Sequence, residues 1–85
     1  MNIQKVVGIN LKYLRFKSNM SQEEFYSKYN LNVKYMASME RGVVNFKIKY
    51  LEWLADKLKV NVYELLTFDE THIISKTRID GKVNN

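Results

Sequence analysis

The chain contains no cysteine, no proline, one histidine and three glycines. The lack of cysteine excludes a disulfide framework, and His72 alone is no metal site. There is no Ser/His/Asp or Cys/His set and no Gly-rich phosphate loop, so an enzyme is not expected and no cofactor is implied. Long apolar runs are also missing, which leaves nothing to span a bilayer. Met1 to Val7 is too polar for a signal peptide, so the expected location is the cytoplasm with no membrane partner.

What the chain does contain is apolar and aromatic residues, at 46% and 13%, enough for a folded core rather than a disordered polymer. Eighty-five residues make one domain near the small end of what sustains its own core, so self-association is a natural supplement. The formal charge of +5 is unevenly placed. Residues 1–66 hold eleven Lys/Arg against six Asp/Glu, whereas 67–85 hold three against three. An anionic partner is therefore expected for the first part.

Hydrophobic periodicity and capping residues divide the chain into closely spaced helices. Ile3, Val7, Leu11 and Leu14 form one buried stripe of helix one, which runs to about residue 17. Ser21 with Glu24 is a capping box that starts helix two, and Asn30 is its stop. Asn32 caps helix three and Gly42 ends it, leaving a very tight turn between the two helices. Helix four covers roughly 47–59 with Ile48, Leu51, Leu54, Ala55 and Leu58 inward, although Lys47 is a poor cap. Asn61 and Glu64 open a short helix five that ends near Leu66. The alternating stretch 72–79, followed by Asp80-Gly81, has the pattern of a strand and turn. The expected organisation is an all-α domain over 1–66 and a tail over 67–85 that serves as strand or dimerisation element.

Helix three poses a question of its own. Leu31, Met36 and Met39 turn inward, while Lys34, Ala37, Ser38 and Arg41 recur on the opposite side. Small and hydrogen-bonding residues on an outward stripe suit a helix that enters the DNA major groove, where bulky apolar side chains would prevent approach to base edges. Two helices joined by a tight turn, the second so decorated, make a helix-turn-helix.

The stretch SQEEFYSKYNLNVKYMASMERG resembles the helix-turn-helix of the Cro/CI-type repressor family, which includes phage repressors, restriction–modification controller proteins and several antitoxins. Ser21 and Gln22 match its start, Phe25, Tyr29, Leu31, Met36 and Met39 its hydrophobic positions, and Glu40, Arg41 and Gly42 its ending. GINLKYLR and LEWLADKLKVNVYELL resemble its first helix and its last two, so residues 3–66 are covered. Tyr26 stands where the family carries a small residue, Asn30 where Gly is frequent, and Lys47 where Ser or Thr caps helix four. Of these departures Tyr26 bears most on the helix-to-helix geometry.

The resemblance implies a compact five-helix lambda-repressor-like DNA-binding domain that reads an inverted-repeat operator as a homodimer. By position it implies Asn32, Val33, Lys34 and Ser38 as base readers. It implies Gln22, Tyr35, Arg41, Asn45, Lys47 and Lys49 as DNA-backbone contacts; Tyr35 reads equally as a half-buried aromatic, and Lys47 and Lys49 also as solvated surface. Arg15 and Glu40 are the expected structural ion pair. Trp53, Tyr63, Leu66 and Phe68 are the expected dimer surface, the alternative being a tail folded over Trp53 within one chain. Partners beyond double-stranded DNA and a second copy are RNA polymerase or, if the chain is an antitoxin, a toxin protein held by the tail.

Overall fold

Local capping chemistry sets where each helix begins. The structure, a computed structural model, describes residues 2–73. Five helices follow in order: α1 (Ile3–Lys17), α2 (Gln22–Lys28), α3 (Val33–Arg41), α4 (Ile48–Leu58) and α5 (Val62–Leu66). Asn2 accepts the Lys5 N–H at 2.9 Å to start α1, and Asn32 accepts the Tyr35 N–H at 2.8 Å to start α3. Ser21 and Glu24 close a reciprocal capping box on α2, as do Asn61 and Glu64 on α5. Lys47 precedes α4 with no side-chain cap, so that helix starts unaided.

The helix ends use the left-handed region. Asn30 has φ 57° in the turn between α2 and α3, and Gly42 has φ 75° after α3. Lys59 does the same after α4 at φ 62°, a conformation that glycine would adopt without strain.

One core gathers the inward faces of all five helices: Val7 and Leu11 from α1, Phe25 and Tyr26 from α2, Met36 and Met39 from α3, Leu51, Leu54, Ala55 and Leu58 from α4, and Leu65 from α5. α1 packs on α3 and α5, α2 on α3, and α4 on α5. The α1–α3 crossing is close enough to require glycine: a Cβ on Gly8 would meet the Glu40 and Met39 carbonyl oxygens at 2.6 and 2.7 Å.

Several expectations are corrected. Ile3 and Ile48, assigned inward by period, are 44% and 60% exposed. Each is the first residue of its helix, and periodicity gives the face of a helix but not how far along its axis the core extends. Tyr26 is accommodated fully buried, with its hydroxyl bonded to Glu40 of α3. The two residues that would start a strand over 72–79 belong instead to a helical turn at 70–73, and the remainder of that stretch lies outside the described residues.

The described part of the tail lies on α1. Asn10 is buried and its Nδ2 donates to the Leu65 and Thr67 carbonyls at 2.8 and 2.9 Å. That orientation leaves Asn10 Oδ1 as an acceptor, and His72 Nδ1 meets it at 2.8 Å. The His72 ring stacks on Tyr13 with centroids 3.6 Å apart. Residues 67–73 therefore do not cover Trp53, which stays 49% exposed.

Candidate nucleic-acid interface

The candidate interface centres on α3, whose inner face is anchored by Met36 and Met39, both essentially fully buried. The opposite face is open: Lys34 and Arg41 are exposed, and Ala37 and Ser38 are half-buried. Arg41 Nη2 donates to Ser38 Oγ at 3.0 Å, so two residues of the stripe are already linked along the helix surface. At its N-terminal end, Asn32 is exposed and uses its side-chain oxygen as the cap, which leaves its amide N–H groups to donate outward. Val33 is half-buried and packs partly against the core.

A polar network fixes this helix against its neighbours. Arg15 on α1 grips Glu40 on α3 in two hydrogen bonds, Nε to Oε2 at 2.8 Å and Nη2 to Oε1 at 2.9 Å. From α2, Gln22 Nε2 donates to Glu40 Oε1 at 3.1 Å and the Tyr26 hydroxyl donates to Oε2. Arg15 Nη1 also reaches the Met20 carbonyl at 3.2 Å across the α1–α2 turn. Both charges are desolvated, which is tolerable because the carboxylate is met by donors from two helices and no buried side-chain polar atom among the described residues lacks a partner. Burial, then the Glu40 charge, push the Tyr26 phenol far above its ordinary range, so it stays a donor.

The flank of α3 continues onto α4 through aromatic contacts. Tyr35, 39% exposed, meets Tyr50 edge-on at 5.6 Å, and Tyr50 lies 5.5 Å from Trp53. Both readings of Tyr35 are compatible with this, since its ring packs while part of it faces outward. Partial burial, and then Tyr35, push the Tyr50 phenol up to about 12. Asn45, Lys47 and Lys49 lie exposed between α3 and the first turn of α4. Gln22 is half-buried, with one amide hydrogen given to Glu40 and one left.

The four apolar residues expected at a dimer surface divide into two kinds. Trp53, Tyr63 and Phe68 are 49%, 71% and 49% exposed, whereas Leu66 is partly buried against the core. The sequence reading missed the hydroxyl of Tyr26, the clamp made by Asn10 and the cation Lys5. Asn10 carried a legible signal, because it follows Val6 at i+4 on a buried face and a polar residue there must find internal partners. Among the described residues no group of His, Cys, Asp or Glu could hold a metal, and no helix is long and apolar enough to cross a membrane.

No family model matches the chain. It is 38% identical over 72 residues to an uncharacterized HTH-type transcriptional regulator of Sinorhizobium fredii, covering 84% of this chain and 94% of that protein. It is 34% identical over 68 residues to the control protein C.BamHI of Bacillus amyloliquefaciens, covering 79% and 84% respectively. Among solved structures it is similar to a hypothetical transcription factor, NHTF, from Neisseria, with a TM-score of 0.69 and 26% identity over 86% of this chain and 84% of that one.

Proposed function

Because the chain belongs to the Cro/CI-type helix-turn-helix family of DNA-binding transcriptional regulators, we propose that it binds an inverted-repeat operator as a homodimer, with α3 in the major groove. The observation that carries this reading is the contrast between the two faces of α3: methionines locked in the core, and an outward stripe of small residues and cations. Residues 1–66 then form the DNA-binding unit, and residues 67–73 dock on α1.

Asn32, Val33, Lys34 and Ser38 are assigned to base edges, with Lys34 donating to guanine O6 or N7 and Val33 against a thymine methyl. Gln22, Tyr35, Arg41, Asn45, Lys47 and Lys49 are assigned to the DNA backbone, where they orient the domain without choosing a sequence. Arg15 and Glu40 serve as the structural pair, with Gln22 and Tyr26 joining them. Trp53, Tyr63 and Phe68 supply the apolar surface for a second copy. The similarity to a control protein supports a controller role, and it favours a regulator over an antitoxin.

Selection of bound duplexes from a randomised library at near-physiological salt tests the reading. The expected product is an inverted repeat whose half-sites lie about 34 Å, one helical turn, apart. Recovery of no motif, with binding that vanishes as salt rises, would overturn sequence reading by the chain alone.

A further inference from the structure

A groove of about 490 Å³ runs between α1 and the C-terminal end of α3, with Lys5, Lys12, Gln22, Glu40 and Arg41 among its lining residues. Its carboxylate among the described lining residues, Glu40, is already paired with Arg15 at 2.8 Å and so is not the partner of Lys5 or Arg41. Gln22 and Arg41 also belong to the proposed DNA-backbone set, which makes this groove a continuation of that face.

Lys5 is held at this place by its surroundings. Its N–H is bound by Asn2 at 2.9 Å. Its stem packs against the left-handed turn that ends α3, where a Cβ on Gly42 would come within 3.0 Å of both Cα and Cγ of Lys5. The residue remains exposed. A cation on a fixed stem, beside a second cation and open to solvent, suits a phosphodiester oxygen as ligand.

Resting on the DNA-binding reading above, we infer that Lys5, together with Arg41, forms a further backbone-phosphate site on α1, outside the helix-turn-helix itself. The footprint of each protomer then extends past the C-terminal end of α3. A different role for Lys5 would be to complement the negative end of the α3 dipole, which acts on stability and not on DNA.

Salt dependence separates the two roles. The full-length chain is titrated onto a duplex of random sequence over a range of salt, as wild type, Lys5→Gln, Lys5→Arg and Lys47→Gln, with thermal midpoints recorded in parallel. Each phosphate contact contributes about 0.9 to the slope of log affinity against log salt. Lys5→Gln is expected to lose about that much per bound protomer, and Lys5→Arg to retain the wild-type slope. If Lys47→Gln flattens the slope while Lys5→Gln keeps that of the wild type, with or without a lower midpoint, the inference is wrong and the DNA-binding reading survives. Absence of salt-sensitive DNA binding in the wild type would overturn both.

Discussion

At the scale of single residues, the proposed interface divides into groups assigned to choose a sequence and groups that hold the helix still. Lys34→Ala should relax preference at one or two operator positions and weaken the best site by about 1 to 3 kcal/mol, with little effect on random DNA. Competition binding between operator and scrambled duplexes checks this; equal loss on both would remove Lys34 from the base readers. Tyr26→Phe deletes only a hydroxyl, but one that donates to a buried carboxylate. A hydrogen bond to a charged group contributes about 1.5 to 3 kcal/mol, and the variant should be destabilised by roughly that amount in urea, followed through Trp53, the single tryptophan. Tyr50 predicts an alkaline limit. Its folded value of about 12 lies above the ordinary 10.0, so the folded state holds the proton more tightly. The associated stability is complete below pH 10 and is lost as pH rises through about 12. Tyr50→Phe should reduce the fall seen in urea titrations across that window, and an unchanged fall would assign it elsewhere.

At the scale of elements, four of the five helices begin with a side-chain cap and α4 does not. If Lys47 contacts the DNA backbone as proposed, stability and DNA binding pull against each other there. Lys47→Ser should raise stability by about 1 kcal/mol by capping α4, the typical contribution of a good N-cap. It should also weaken binding to all duplexes alike and flatten the salt slope by about 0.9. Thermal melting and salt titration of the same variant check the two halves independently. A stabilised variant with wild-type DNA affinity would mean Lys47 is solvated surface. The α2–α3 pair was legible in the sequence down to its caps, because Ser21, Asn30, Asn32 and Gly42 act within a few residues of themselves. The direction in which Gln22 points was not, since its partner Glu40 lies 18 positions away.

At the scale of the whole molecule, one copy carries a single α3 on a body whose longest Cα extent is 36 Å. The proposed reading of two half-sites a helical turn apart requires a second copy. Trp53, 49% exposed and flanked by Tyr50 and Lys57, offers a large aromatic side chain to bury there. Trp53→Glu should shift the species seen by sedimentation from dimer to monomer while the far-ultraviolet helical signal is retained. Operator affinity should fall with it, because each protomer would then bind alone. A variant that sediments as the wild type does would move the contact to another face.

The amino-acid sequence by itself determined the five helices, their caps and the face that each turns inward, since these follow from interactions spanning three or four residues. It also carried the family resemblance, concentrated between Ser21 and Gly42. Tertiary structure alone decided how far along α1 and α4 the core extends, leaving Ile3 and Ile48 outside it. It made Tyr26 a member of the Arg15–Glu40 network, and it set Lys5 beside the end of α3. It also brought the start of the tail onto α1, through an Asn10 side chain bonded to the Thr67 carbonyl 57 residues away. Such pairings depend on the angle and depth at which distant segments cross, and no local pattern of residues encodes either.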